Sequence, residues 1–180
     1  MANMSSLQKE ILRIIQPSIC TQEVGDYWFE RVSKGELTRD EGNTSHLGCY
    51  FLPYNPDTKQ VFIVHHKKSG LWLFPGGHVD KDELPLQTLN REIEEELGVS
   101  NRVKEAEPFL LTITPINHPG IMCREHLDLW YRFPTDGSEF VVDPAEFHTT
   151  RWTSLKEARE LMVDPANLEA LSRMEQFFAS

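Results

Sequence analysis

The chain has 180 residues, 39% of them hydrophobic, and its 28 acidic against 18 basic side chains give a formal charge of −10. That length builds one domain with a sizeable core, and that charge argues against any general attraction to nucleic acid or an anionic membrane surface. Cys20, Cys49 and Cys123 are odd in number and far apart, which fits free thiols in a reducing compartment rather than a disulfide framework.

In chain order, Leu7, Ile11, Ile14 and Ile15 recur at helical spacing until Pro17 stops the pattern. Lys9, Glu10 and Arg13 interrupt this N-terminal stretch, so it does not read as a signal peptide. No segment is long and apolar enough for a membrane span, and a cytoplasmic protein is expected. A second helix is predicted over about Glu23 to Lys34, with Val24, Tyr27, Trp28 and Val32 as its apolar side. Residues 1–42 are therefore read as an N-terminal helical extension packed on a domain that occupies 43–180. The run Tyr27, Trp28, Phe29 holds more apolar side chain than one helix face buries. That excess points to packing over a cleft or to a homodimer contact.

From Ser45 the texture becomes extended. "HLGCYFLPY" and "KQVFIVHH" read as strands joined by a turn at Asn55-Pro56-Asp57, and "GLWLF" as a short third strand. A helix follows with Pro85 in its first turn, Leu86, Leu89, Ile93 and Leu97 as its buried stripe, and Gly98 as its stop. Two longer strands, "EAEPFLLTITPI" and "EHLDLWYRFP", flank a loop centred on Asn117 to Gly120. A last strand over Phe147 to Trp152 precedes a helix capped by Thr153 or Ser154 and another from about Pro165 to Phe178. Helices, mixed strands around one acidic helix, then helices predict a single α/β domain.

The acidic helix carries the chemistry. Glu92, Glu95 and Glu96 stand at i, i+3 and i+4, so they share one side, with Ile93 and Leu97 turned towards the core. Like charges so placed repel by about 0.2 to 0.5 kcal/mol for each close pair, and they crowd the helix end whose dipole disfavours anions. A solvated acidic face and a divalent-cation site are the two readings of this pattern. Hard carboxylate oxygens suit Mg²⁺ or Mn²⁺.

The stretch resembles the Nudix box of the Nudix hydrolase family. That box reads Gly, five residues, Glu, seven residues, Arg-Glu, an aliphatic, any residue, Glu-Glu, any residue, Gly, an aliphatic. Here Gly77, Glu83, Arg91-Glu92, Ile93, Glu95-Glu96, Gly98 and Val99 keep every spacing. The resemblance implies the Nudix fold, a mixed β-sheet sandwiched between α-helices. It implies divalent-metal-dependent hydrolysis of the pyrophosphate link in a nucleoside diphosphate joined to another moiety, as in a nucleoside triphosphate, a nucleotide sugar or a dinucleotide. A catalytically weak nucleotide-binding or regulatory module of the same fold is the alternative, against which stands the intact acid set.

By the same resemblance Glu92, Glu95 and Glu96 are metal ligands, with a main-chain carbonyl of Gly76 or Gly77 beside them. Arg91 is expected to brace a box glutamate, and Glu83 to orient from the helix start. Glu146 is the candidate for an additional ligand or general base, with Glu125 and Glu139 as rivals. Beyond the box, His65, His66, Trp72, His78, His126, Asp128 and Phe133 are similar to a little-characterised bacterial-type subgroup. His78 and His126 are candidate substrate contacts, and Trp130 and Tyr131 candidate planes for stacking a base. The expected partner is a small nucleotide-type substrate, with neither nucleic acid nor membrane.

Overall fold

The computed structural model describes residues 4–42, 44–100, 103–116 and 123–180; the loop centred on Asn117 to Gly120 lies outside them. Two helices open the chain. α1 (Ser6–Ile14) is started by a reciprocal Ser5–Gln8 capping box, and α2 (Gln22–Ser33) by the Thr21 hydroxyl, which accepts from the Val24 N–H. The strands β1 (Ser45–Asn55) and β2 (Gln60–His66) follow as the predicted hairpin, then β3 (Trp72–Leu73). The sequence reading missed β4 (Gly76–His78), a short strand on β1. Two adjacent glycines are poor strand formers, yet pairing with Gly48–Tyr50 holds them in the sheet.

The predicted acidic helix is α3 (Pro85–Leu97), with Pro85 in its first turn and Gly98 as a left-handed C-cap at φ 66°. β5 (Leu110–Pro115), β6 (Glu125–Pro134) and β7 (Phe147–Ser154) complete the described strands. The helices α4 (Leu155–Leu161), capped by Ser154 with Glu157, and α5 (Pro165–Ala179) close the chain.

The sheet runs β3-β2-β1-β6-β5, with β4 also on β1 and β7 also on β2. β1 and β6 are parallel from Ser45–Glu125 to Tyr54–Pro134 and the other pairings antiparallel, which makes the sheet mixed. Alternation along β1 then assigns its side chains to two cores. Leu47, Cys49 and Phe51 join Ile11, Trp28, Val32, Leu89, Ile93 and Leu97 on one face. Leu52 and Tyr54 join Trp130, Ala170, Leu171 and Met174 on the other. The helical extension is thus built into the first core. Trp28 is fully buried and donates its Nε1 proton to the Thr112 carbonyl at 3.2 Å, so at this residue the aromatic run is packed against the sheet.

Candidate active site

The acidic helix is held against β4. The Gly76 N–H donates to Glu96 Oε2 at 2.6 Å, and Arg91 Nη2 donates to the His78 carbonyl at 2.9 Å. The β1–β4 ladder bonds at Phe51–Pro75 and Leu47–Val79 alternate such that Gly77 is committed to Cys49 and Gly76 is turned outward. Of the two glycines proposed for a main-chain ligand, Gly76 is therefore the one that faces the acids. Gly77 has a different reason to lack a side chain. A Cβ there would lie 2.4 Å from Glu92 Oε1.

The box acids do not share one solvated face. Glu95 is exposed, but Glu92 and Glu96 retain only 7% and 5% of their accessible surface. Side-chain spacing alone placed all three on one polar side; the β4 backbone covers two of them. Burial pushes the Glu92 carboxyl up to about 7, against the opposing pull of Arg91, and pushes Glu96 well above the usual range, with Glu92 adding to it. A divalent cation reverses both penalties, because it replaces lost hydration and screens the repulsion. The donor set fits a hard ion of the Mg²⁺ type.

Arg91 is the hub. Its Nε and Nη2 make a two-pronged contact with Glu83, each at 3.0 Å, while Nη1 reaches Glu92 at 2.6 Å and Glu95 at 3.2 Å. Thr88 Oγ1 donates to Glu83 at 2.7 Å and fixes it from the other side. The three box acids are consequently not drawn to a single point; Arg91 and Gly76 hold them apart.

Glu146 precedes β7 with its side chain half exposed and 4.0 Å from His66 Nε2. It is near enough to Glu92 and Glu96 to raise both. Its rival Glu125 is engaged elsewhere, accepting from Tyr27 Oη at 2.6 Å and from Ser45 Oγ. His65 stacks on Trp72 with centroids 5.1 Å apart, and His66 bonds Ser69, so both serve the hairpin end.

His78 and His126 meet directly, Nε2 to Nε2 at 3.0 Å. Burial and the neighbouring imidazoles lower His78 to about 3 and His126 to about 4, so both rings are neutral at pH 7. Asp128, on the same face as His126, is buried and accepts from Thr112 at 3.0 Å and from Thr114. The aromatic candidates fail structurally. Trp130 and Tyr131 are 1% and 2% exposed, Trp130 being stacked on Tyr50 and bonded to Thr112 Oγ1. Their alternation fills the two cores and leaves neither ring open to a base. His46, which the sequence gave no reason to single out, packs beside His78 and His126 at centroid distances of 4.7 and 5.1 Å. A cavity of about 400 Å³ near the start of α3 includes Glu83, Leu84 and Gln87 in its wall but none of Glu92, Glu95 and Glu96.

Known proteins resemble this chain in sequence and in fold. The chain matches the NUDIX domain over residues 44–174. It is 33% identical over 107 residues to an RNA pyrophosphohydrolase of Mesorhizobium japonicum, covering 52% of this chain and 62% of that protein. The solved structure of the E. coli dihydroneopterin triphosphate pyrophosphohydrolase superposes with a TM-score of 0.57 at 19% identity, over 74% of this chain and 94% of that one. A C. elegans Ap4A hydrolase binary complex gives 0.59 at 16% identity, over 74% and 97%. The chain therefore belongs to the Nudix family and has the fold of its hydrolases. Among the described residues no helix is long and apolar enough to cross a membrane.

Proposed function

We propose that the protein is a cytoplasmic, divalent-metal-dependent pyrophosphohydrolase acting on a nucleoside diphosphate joined to a further phosphate, sugar or nucleoside. The observation that carries this reading is the burial of Glu92 and Glu96 against Gly76, with Glu95 and Glu146 beside them. In it, Glu92, Glu95, Glu96 and the Gly76 carbonyl hold Mg²⁺ or Mn²⁺. The ion supplies charge neutralisation for the pyrophosphate and a lowered pKa for attacking water.

The chain's own groups do the rest. Arg91 fixes the direction of Glu92 through its guanidinium while Glu83 and Thr88 fix Arg91, so removal of one brace misdirects a ligand rather than deleting it. In this reading Glu146 receives a proton from water, a role supported by its partial exposure and its influence on the two buried acids. His78 and His126, neutral at pH 7, offer hydrogen bonds to the substrate rather than charge.

A second substrate, the 5′-triphosphate end of an RNA, is favoured by the activity named for the Mesorhizobium relative. The charge of −10 opposes extensive contact with the RNA backbone. The deciding experiment presents nucleoside triphosphates, nucleotide sugars, dinucleotides and a 5′-triphosphorylated RNA with Mg²⁺, with Mn²⁺ and with chelator. Metal-dependent cleavage of a small nucleotide supports the main reading, and cleavage of the RNA alone replaces it with the second. No turnover of any, with no divalent-ion binding, removes the enzyme reading and leaves a nucleotide-binding module.

A further inference from the structure

The parallel pairing of β1 with β6 puts His46 opposite His126, so their side chains stand together on the sheet face turned away from α3. Cys123 comes onto the same spot from the approach to β6. One ligand atom from each of His46, Cys123 and His126 lies within 4.8 Å of the other two, and His46 Nε2 is 3.4 Å from Cys123 Sγ. We propose that His46, Cys123 and His126 form a zinc site, separate from the carboxylate centre and of opposite ligand softness, with its fourth position beside His78.

Bond geometry supports this assignment. Zinc bonds of about 2.3 Å to sulfur and about 2.0 to 2.1 Å to nitrogen, at the tetrahedral angle, place N and S roughly 3.5 Å apart. The His46–Cys123 separation already has that value. The widest separation in the trio, no more than 4.8 Å, needs to close by at most about 1.4 Å, within reach of side-chain rotation. His78 Nε2, 3.0 Å from His126 Nε2, supplies a donor next to the remaining corner.

Electrostatics point the same way. Asp128 lies two residues beyond His126 on the same face, fully buried, and its Oδ1 has no hydrogen-bond partner. A buried carboxyl oxygen with no partner is costly, and Asp128 is near enough to Cys123 to act on its thiol, so a cation held by that thiol offsets the cost. Packing alone explains the contact of rings, but not the arrival of a thiol 3.4 Å from one of them. Thiolate and imidazole select Zn²⁺, whereas Mg²⁺ takes oxygen, so the two centres do not compete for one ion.

The test uses the intact protein, reduced and stripped with chelator, then held at saturating Mg²⁺ to occupy the carboxylates. Zinc is titrated against a chromophoric chelator, and Co²⁺ is added in parallel to report sulfur ligation through its near-ultraviolet charge-transfer band. One equivalent of zinc and a cobalt–sulfur band are expected. Cys123→Ser should abolish the band and weaken zinc by on the order of a hundredfold. His46→Gln should weaken zinc comparably while keeping the band, and Glu95→Gln should change neither. A melt of each variant checks folding, and Cys123→Ala stands in if the serine variant fails. No cobalt–sulfur band in the wild type, or zinc affinity unchanged in both Cys123→Ser and His46→Gln, overturns the site. Either outcome leaves the carboxylate reading standing, since Glu92, Glu95, Glu96 and Gly76 supply no ligand to this site and the two varied side chains, Cys123 and His46, have no part in that reading.

Discussion

The two faces of β1 differ in what they do with polar groups. Towards α3, Cys49 and the adjoining Gly77 sit against carboxyl groups that one guanidinium holds apart. Towards α4 and α5, His46 and Tyr50 sit among neutral imidazoles, a thiol and Asp128, whose carboxyl burial raises to about 7. The first face gathers carboxyl groups, two of them buried and Glu95 exposed, into a set of hard oxygen donors. The second removes charge, which leaves softer donors. One strand thus separates two chemistries by nothing more than the alternation of its side chains.

The strongest disturbance of this arrangement is removal of what joins the N-terminal helices to the first face. Trp28→Ala is expected to destabilise the metal-free protein by about 3 to 5 kcal/mol, measured by urea unfolding. Unchanged stability would show that α2 contributes nothing to that core. Next come the acids themselves. Glu96→Gln and Glu95→Gln should each fold, and at saturating Mg²⁺ at least one should lose turnover by about a hundredfold, or ~3 kcal/mol. Near-normal turnover in both would move the chemistry off α3.

A smaller effect separates charge from shape. Because folding raises the Glu92 carboxyl to about 7, it favours the protonated form. The contribution is present below the ordinary value near 4.5 and is lost as pH rises through 7. Glu92→Gln should therefore leave metal-free stability unchanged at pH 4 and raise it by on the order of 2 kcal/mol at pH 8. Equal differences at the two pH values would mean that Glu92 is not desolvated. The smallest effect belongs to Phe29, 60% exposed on α2. Phe29→Ser should shift stability by no more than about 0.5 kcal/mol. If the proposed homodimer uses this surface, light scattering will show wild-type dimer giving way to monomer in the variant; a monomeric wild type at all concentrations removes the dimer.

Much of the fold was legible because local signals agreed with it. Pro85, Leu89, Ile93, Leu97 and Gly98 bound α3 in the sequence as they do in space. Box spacing identified the family, and the guanidinium contacts of Arg91 match the bracing expected of it. The rest depended on pairings between distant segments. No periodicity within Glu92–Glu96 indicates that the β4 backbone covers two acids and leaves Glu95 out. Aromatic identity at Trp130 and Tyr131 is equally compatible with a binding plane and a core, and only their place on a central strand decides it. Cys123 and His126 stand only three apart, but His46 carries no local signal towards them, since the register of β1 on β6 is what brings it there.

That same register has a kinetic consequence. Every β1 residue paired with β6 finds its partner eighty positions later in the chain, His46 with His126 being one instance. Parallel pairing over such a separation requires loop-closure entropy to be spent before any ladder bond forms. During synthesis β1 can meet β2 at once, but its longer edge stays open until Pro134 has emerged. The nascent chain thus exposes Leu47 to Leu52 as an unpaired strand edge for most of its production, and closure of β6 onto it is the step on which folding speed and escape from aggregation both depend.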